Sequence, residues 1–244
     1  VILGIKAWQV VDAAHALRPM IGPNTFVVPM QNGVDAPGQL ASVLGEKAMV
    51  VGMGGIMSYI VGPGHIRHAG ADPFVTFGEA DDSTSDRTQD LLHAFENAGV
   101  RANIPTNVYA ALWGKLTYMA ASSGIGALTR VSSDQWRAVP ESWAMAQDVV
   151  REVLAVAAGQ GITMPSDTFA STIARFESAA PGGTSSMQRD VMEGRRSELE
   201  VQTGAIVRLG KEAGVPTPVN TFIYHSLLPQ EMKAQGKFGP PDSE

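Results

Sequence analysis

The sequence predicts an α/β domain followed by an all-helical domain. Between residues 1 and 51, short apolar runs alternate with helical patterns in the order strand, helix, strand, helix, strand, which is typical of a parallel sheet with crossover helices. Residues 59–77 read as strand, Pro-Gly turn and strand, with residues 74–77 continuing the pattern, which indicates an antiparallel addition at the sheet edge. From Asn107 onward the chain is almost entirely helical in periodicity. The predicted domains are therefore residues 1–106 and 107–244.

Local signals define the individual elements. In the first domain, apolar and β-branched runs predict strands at residues 1–5, 25–30, 48–51 and 100–104, and amphipathic patterns predict helices ending at residue 17 and at residues 39–44 and 85–98. In the second domain, Asn107 is the predicted N-cap of a helix that includes residues 108–119. Further helices are predicted at residues 141–160, 167–178, 185–209 and 218–233. The closing segment, residues 236–244, is predicted to be mobile.

Composition limits the class of protein. Hydrophobic residues make up 44% and charged residues 17% of the 244 residues, which is typical of a globular protein rather than a disordered one. The net charge of −6, without a stripe of Lys and Arg, argues against a nucleic-acid partner. No apolar run approaches the roughly 20 residues of a membrane-spanning helix, and the lack of cysteine excludes disulfides and fits a cytoplasmic setting. We therefore expect a small-molecule partner or a second copy of the chain.

Two apparent motifs receive ordinary structural interpretations. The segment from Gly52 to Gly55 follows a strand, but Met57 stands where a dinucleotide-binding loop needs a small residue, and strand and turn follow instead of a helix. We interpret this segment as a glycine-rich strand close to another backbone. His65 and His68 lie on a predicted strand without an acidic residue at metal-binding spacing, so we expect surface histidines and no metal.

The first residues predict a central strand. The chain opens without Met on an apolar run, Val1 to Ile5, which is typical of a buried strand in a parallel sheet. Such a strand needs a hydrogen-bonding neighbour on each side. We therefore expect that further residues precede Val1.

Four segments carry side chains suited to chemistry. They are Lys6 to Gln9 and Gln31 to Gly33, which each follow a strand, Leu112 to Leu116 on the first helix of the second domain, and Ser185 to Glu200 later in that domain. Taken singly, each has an ordinary explanation. Lys6 and Lys115 suit surface charges, and Asn32-Gly33 suits a turn. Ser185 suits a helix cap.

The order of these segments resembles that of the ketopantoate reductase family. The series is K-A-W-Q, Q-N-G, P-G-H-I, L-W-x-K-L, S-S-M-x-x-D, S-E-L-E and G-V-P-T-P, and the resemblance runs from the first residue to about Lys233. It implies an NADPH-dependent enzyme that reduces a 2-oxo acid to a 2-hydroxy acid. It also implies a Rossmann-like NADP-binding domain, a helical domain and an active site in the cleft between them. The glycine loop expected on the first strand of that domain is not in this sequence, so an incomplete Rossmann-like domain is expected.

The resemblance also implies roles for individual residues. Lys115, in L-W-x-K-L, is the implied general acid, because an ammonium beside the ketone oxygen stabilises the developing alkoxide and donates a proton. Glu198 is implied to lie near the cofactor and Lys115, where a carboxylate favours the charged lysine. Ser186 is an implied substrate ligand. The other implied ligands, on the cofactor side of the cleft, are Lys6, Gln9 and Asn32, of which Asn32 also reaches substrate.

The chain departs from the family's pattern at the implied substrate pocket. One and two helical turns after the lysine, the family has asparagines, whereas this chain has Met119 and Ser123. Two lost amides remove hydrogen bonds worth about 0.5–1.5 kcal/mol each, and Met119 makes the pocket more apolar. We therefore expect the substrate to be a related, less polar 2-oxo acid.

Two alternatives stay open from the sequence. In the first, the polypeptide is a catalytically silent module for binding or dimerisation, because apolar helix faces often pack across a two-fold axis. A homodimer is expected in either case. In the second, the same residues oxidise a 2-hydroxy acid, with neutral Lys115 as the base. Titration of the chain with NADPH discriminates the silent module from an enzyme.

Overall fold

Parallel strand pairing organises the amino-terminal part of the chain. In the computed structural model, which describes residues 1–70 and 72–239, β1 (Ile2–Leu3) pairs in parallel with β2 (Val28–Pro29). A parallel bridge between Val27 and Met49 then connects the residues just before β2 to the residues just before β3 (Val51–Gly55). The crossovers contain helices α1 (Val10–Leu17) and α2 (Ala36–Leu44). This arrangement confirms the predicted alternation of strands and helices.

The remaining strands form two antiparallel pairs and one parallel pair. Two strands form a hairpin, β4 (Ser58–Gly62) with β5 (His65–His68). The next strand, β6 (Phe74–Gly78), is antiparallel to β3 and parallel to β7 (Arg101–Asn103). The prediction that residues 74–77 continue the hairpin is wrong, because the ladder from β6 runs to β3.

Close backbone packing explains the glycine-rich segment in β3. A Cβ atom on Gly52 would lie 2.6 Å from a methyl carbon of Val28 and 2.8 Å from the carbonyl oxygen of Pro29. Any side chain there would separate β3 from β2. The interpretation of this segment as a strand close to another backbone is confirmed.

Helices cover both faces of the sheet in this unit. On one face, α1 and α2 pack on the strands through a buried apolar cluster made of Leu3, Val10, Val27, Leu40 and Val51, among others. On the other face, a second cluster centred on Phe77 contacts α3 (Asp86–Asn97). Ser85 is the N-cap of α3, and its hydroxyl accepts a hydrogen bond from the backbone N–H of Thr88 at 3.3 Å. Burial of β2 and of the first three residues of β3 accounts for the apolar side chains there.

The carboxyl-terminal part of the described chain is helical. Its helices are α4 (Val108–Thr129), α5 (Ser133–Arg137), α6 (Pro140–Gly159), α7 (Thr168–Glu177), α8 (Ser186–Met192), α9 (Ala205–Ala213) and α10 (Pro218–Ala234). The predicted cap is present, since Oδ1 of Asn107 accepts a hydrogen bond from the backbone N–H of Ala110 at 2.6 Å. The chain divides into two compact units between Leu112 and Trp113, inside α4.

One predicted helix, residues 185–209, is wrong as a single element. The first part, α8, ends at Met192, and Gly194 then takes a left-handed conformation with φ of 69°, which ends helices. A π-helical turn (Glu200–Gly204) follows and leads directly into α9. The loop between these helices carries Glu198, so the break determines where that carboxylate lies.

An aromatic cluster forms part of the core of the helical unit. The ring of Phe176 packs edge-on against fully buried Trp136, with centroids 5.5 Å apart, and against Trp143 at 6.0 Å. Tyr118 stacks on Phe176 at 4.4 Å. None of the helices within residues 1–70 and 72–239 has the length and apolar character needed to cross a membrane. The predicted mobile segment includes residues 240–244, which lie outside the described residues.

Candidate active site

Lys115 is a partly buried cation in the helical unit. It lies in α4 between the buried residues Leu112 and Leu116. The pKa of the Lys115 ammonium is lowered from its usual 10.5 to about 8, mainly by burial; the carboxylate of Glu198 opposes this by raising the pKa, and the guanidinium of Arg175 adds a smaller lowering. The ammonium is therefore held between one opposite charge and one like charge. Its pKa is closer to neutrality than that of a solvated lysine.

The loop after α8 brings Glu198 to this lysine. The carboxylate of Asp190 accepts hydrogen bonds from Nε and Nη2 of Arg195 at 3.0 and 2.8 Å, which closes the turn at the end of α8. The backbone N–H and hydroxyl of Ser197 both donate to Oε2 of Glu231 on α10, at 2.9 and 2.6 Å. Because Ser197 is fixed in this way, the neighbouring Glu198 is held in place, buried and within electrostatic reach of Lys115.

Arg175 is a third charge beside Lys115 that sequence reasoning missed. Its guanidinium carbon lies 3.9 Å from the centroid of the Tyr118 ring, and Tyr118 is three residues after Lys115 on α4. In the sequence, Arg175 is an ordinary polar residue of an amphipathic helix. The only usable signal is the helical spacing of Lys115 and Tyr118, which places both on one side of α4.

Met119 and Ser123 continue along α4 from Lys115. Met119 is partly buried, and Ser123 is fully buried with a hydroxyl that finds no hydrogen-bond partner within the described part of the chain. Close helix packing follows at Gly124 and Gly126. A Cβ atom on Gly124 would lie 3.2 Å from Ile223 on α10, and one on Gly126 would overlap the Gln188 amide at 2.5 Å.

Ser186 is the first residue of α8, and its side chain is exposed. The N-cap is the preceding residue, Ser185, whose hydroxyl accepts from the backbone N–H of Gln188 at 3.0 Å. Ser186 is therefore not used to cap the helix.

In the first unit, Lys6, Gln9 and Asn32 follow the carboxyl ends of β1 and β2. Lys6 is exposed, with its ammonium 5.6 Å from the Trp8 ring centroid. The side-chain oxygen of Gln9 accepts a hydrogen bond from the Lys6 backbone N–H at 3.1 Å, which fixes the short turn that presents the lysine. Asn32 is partly buried and lines a mainly apolar cavity of about 430 Å³.

Gln31 holds these strand ends together, and sequence reasoning gave it no role. Its buried side-chain amide nitrogen donates to the carbonyl oxygens of Leu3 and Ile5, at 2.6 and 3.0 Å. These bonds extend the contact between β1 and β2 beyond the backbone ladder. Gln31 therefore helps to fix the strand ends that are followed by Lys6 and Asn32.

Metal-binding chemistry has no candidate among the residues that the structure describes. No group of three or more His, Asp or Glu side chains lies close enough together to hold an ion there. His65 and His68, on β5, are both exposed.

Comparison with known proteins identifies the family. The chain matches the model "Ketopantoate reductase PanE/ApbA" over residues 1–82 and the model "Ketopantoate reductase PanE/ApbA C terminal" over residues 107–231. It is 27% identical over 241 residues to the 2-dehydropantoate 2-reductase of Aquifex aeolicus (strain VF5), a match that covers 95% of this chain and 76% of the relative. The corresponding enzyme of Archaeoglobus fulgidus is 29% identical over 219 residues, covering 88% of this chain and 71% of that enzyme.

Solved structures show the same fold. The PanE/ApbA family ketopantoate reductase of Ralstonia eutropha JMP134 superposes with a TM-score of 0.86 at 29% identity, covering 96% of this chain and 76% of that one. A D-mandelate dehydrogenase, solved with NADH and anilino(oxo)acetate, has the same TM-score at 22% identity and the same coverage of both chains. The described architecture is thus a Rossmann-like α/β domain followed by a helical domain. The chain belongs to the ketopantoate reductase family of oxidoreductases.

Proposed function

We propose that this chain is an NADPH-dependent reductase that converts a 2-oxo acid into a 2-hydroxy acid, with Lys115 as the general acid. The observation that carries the proposal is the partly buried ammonium of Lys115, with a pKa of about 8, beside the buried carboxylate of Glu198. At neutral pH the protonated form dominates by roughly ten to one for such a pKa. Lys115 therefore carries a proton at neutral pH and gives it up more readily than a solvated lysine.

The side chains after β1 and β2 fit a dinucleotide by their chemistry. Lys6 offers an exposed cation for a phosphate, and Gln9 and Asn32 offer amides for hydroxyl or carboxamide groups. In open α/β sheets, ligands bind outside the carboxyl ends of the strands, which is where these residues lie. Glu198 is proposed to complete the cofactor side. The bound cofactor supplies a hydride, and NADPH is proposed over NADH from the family resemblance.

In the proposed reaction the protein stabilises the developing negative charge and donates a proton. Carbon 2 of the substrate gains a hydride, and the former carbonyl oxygen gains a proton from Nζ of Lys115. The ammonium first stabilises the negative charge that develops on that oxygen. Glu198 keeps Lys115 charged before the transfer, since a nearby carboxylate favours the protonated lysine. Solvent then reprotonates Lys115.

The substrate-binding residues are proposed to be Ser186, Asn32, Ser123 and Met119. Met119 stands where an amide occurs in the family's pattern, and Ser123 is buried without a partner in the described chain, so the pocket offers fewer polar contacts. We expect a preference for 3,3-dimethyl-2-oxobutanoate over ketopantoate, which differs from it only by a hydroxyl group. A lower kcat/KM for 3,3-dimethyl-2-oxobutanoate than for ketopantoate would contradict this part of the proposal.

The test is initial-rate oxidation of NADPH, followed by nicotinamide absorbance, with both oxo acids. Lys115→Met is expected to lower kcat at neutral pH by about 10²–10⁴-fold, the typical contribution of a general acid. Lys211→Met, an exposed lysine on α9, is the matched control and is expected to leave kcat unchanged. Normal turnover in Lys115→Met would refute the assignment. If wild-type chain neither binds NADPH nor reduces either acid, the silent-module alternative is supported instead.

Assembly and location belong to the same proposal. A homodimer is also proposed, from the family resemblance. Light scattering at micromolar concentration tests this, and a monomer mass would contradict it. The proposed compartment is the cytoplasm, which is supported by the absence of cysteine. Subcellular fractionation tests this location, and recovery of the protein outside the cytoplasmic fraction would contradict it.

A further inference from the structure

Arg175 is a cation held in a fixed orientation on an aromatic stack. Its guanidinium carbon lies 3.9 Å from the ring centroid of Tyr118, and the opposite side of the stack is formed by Phe176, whose ring lies 4.4 Å from that of Tyr118. Phe176 is itself fully buried. A guanidinium stacked in this way keeps its N–H edges available for hydrogen bonds in the ring plane.

The partners of Arg175 differ from those of several other arginines in the described chain. Four of these pair with a carboxylate, namely Arg87 with Glu79, Arg151 with Asp148, Arg195 with Asp190 and Arg208 with Glu212. Within the described residues, the guanidinium of Arg175 contacts the ring of Tyr118 and forms no ion pair with a carboxylate. Its five donors are thus not satisfied by an acidic side chain of the described chain.

Arg175 lies on the same side of α4 as Lys115. Tyr118 follows Lys115 by three residues, so their side chains are neighbours on the helix surface. The positive charge of Arg175 reaches Lys115, because it lowers the pKa of that ammonium in addition to the larger effect of burial. The carboxylate of Glu198 balances one of the two positive charges, which are those of Lys115 and Arg175. The remaining positive charge suits an anionic group next to the atom that Lys115 protonates.

We propose that Arg175 binds the carboxylate of the substrate and selects 2-oxo acids over neutral ketones, an inference that rests on the proposed function. In a 2-oxo acid the carboxylate is bonded directly to the ketone carbon. A substrate whose ketone oxygen meets Lys115 therefore carries its carboxylate a few ångströms away, toward a neighbouring cation. A planar guanidinium binds a carboxylate through two parallel hydrogen bonds, which fixes the orientation of the ketone.

Binding of the substrate carboxylate by Arg175 explains how α4 can lack an amide at Met119. Met119 leaves the side of the pocket beyond Lys115 apolar. A charge-assisted contact from α7 supplies binding and orientation without amides on α4. Selectivity then depends on the acid group common to all 2-oxo acids rather than on a substrate hydroxyl.

The test compares 3,3-dimethyl-2-oxobutanoate with its neutral methyl ester in NADPH oxidation by wild-type chain and Arg175→Met. Loss of a hydrogen-bonded charge pair is expected to lower kcat/KM for the acid by about 10–100-fold. For the ester the expected change is below about two-fold. Arg151→Met is the control, since Arg151 also stacks on an aromatic ring, Phe169 at 4.8 Å, but is already paired with Asp148. It is expected to leave both substrates unaffected.

Equal losses for acid and ester would overturn the inference, because they would show only a structural role for Arg175. No loss for the acid would overturn it as well. Calorimetric titration of the acid separates this inference from the proposed function, since it needs no turnover. Binding that is at least about ten-fold weaker in Arg175→Met supports the carboxylate site even if wild-type chain reduces nothing. Equal affinity, or no binding to wild-type chain, overturns it.

Discussion

Glu198→Gln tests how the charge on Lys115 is maintained. Burial and Arg175 both lower the pKa of the lysine ammonium, and Glu198 is the group that raises it. Glutamine keeps the size of the side chain and removes its charge. In the variant, burial and Arg175 still lower the pKa of Lys115, and no carboxylate at position 198 raises it. The pKa of Lys115 must therefore fall below about 8.

The magnitude follows from the strength of a close charge pair. A carboxylate within about 4–6 Å shifts a partner's pKa by roughly 1–3 units. With a fall of only about one unit, from about 8 to about 7, the protonated fraction of Lys115 at pH 8 drops from about one half to about one tenth. At pH 6 Lys115 stays at least about nine-tenths protonated in both proteins. Reduction needs the protonated form, so activity is lost as pH rises through the pKa in the folded protein.

The assay is kcat/KM for 3,3-dimethyl-2-oxobutanoate with NADPH between pH 6 and 9. The ratio of wild-type to Glu198→Gln activity is expected to rise about five-fold between pH 6 and pH 8. Any contact of Glu198 with the cofactor lowers the variant's activity at every pH and leaves this change in ratio intact. Glu200→Gln is the matched control, because Glu200 lies two residues further on, is exposed and accepts from the Tyr224 hydroxyl at 2.6 Å.

A pH profile of Glu198→Gln parallel to that of wild-type chain would refute this reasoning. It would mean that the carboxylate does not act on the group whose ionisation limits the rate. A profile displaced to higher pH would refute it more strongly, since the sign of the shift would be reversed.

Three further predictions concern the pocket and the fold. Met119→Asn is expected to raise kcat/KM for ketopantoate relative to 3,3-dimethyl-2-oxobutanoate by about 3–10-fold, since one hydrogen bond is gained; an unchanged ratio in the rate assay would argue against contact with substrate. Gln31→Leu is expected to lower the free energy of unfolding by about 1–3 kcal/mol in urea titration, because two carbonyl oxygens at the end of β1 lose their donor; unchanged stability would contradict this. Ser85→Ala is expected to cost about 1–2 kcal/mol in the same titration, through loss of the α3 cap and of the hydrogen bond from its hydroxyl to Glu79, and Thr84→Ala, at an exposed position beside it, serves as the control.

Local signals in the sequence were sufficient for most elements of the fold. Asn107 predicted the start of α4, and Ser85 stands at the start of α3, because a short polar side chain before an apolar periodic run satisfies the free N–H groups of a helix end. The crossover order of the first domain follows from alternating patterns. These signals involve residues within about one helical turn or one strand of each other, so no tertiary knowledge was needed.

Two predicted elements differ from the structure, one for a local reason and one for a distant reason. Residues 185–209 were predicted as one helix, but Gly194, in a left-handed conformation, and the bonds from Arg195 to Asp190 end α8 and redirect the chain. By contrast, β6 pairs with β3 rather than with the hairpin that precedes it, and this choice depends on which strand edge is available.

The candidate site was only partly accessible from sequence. Lys115 and Glu198 came from the order of motifs rather than from spacing, because nothing local links two side chains on separate helical segments. Arg175 could not be found in that way, since its significance comes from stacking on Tyr118. Gln31 was also missed, because a glutamine at a strand end gives no sign that it will bond to two carbonyls of another strand.

The most direct test of the central claim follows the transferred atoms. Wild-type chain and Lys115→Met are incubated at neutral pH with 3,3-dimethyl-2-oxobutanoate and NADPH carrying deuterium at both positions of nicotinamide carbon 4, and the products are analysed by mass spectrometry. The expected result is 2-hydroxy acid with one deuterium at carbon 2 from wild-type chain and a yield at least about 100-fold lower from Lys115→Met. Equal amounts of labelled product from the two proteins would contradict the assignment of Lys115 as the proton donor.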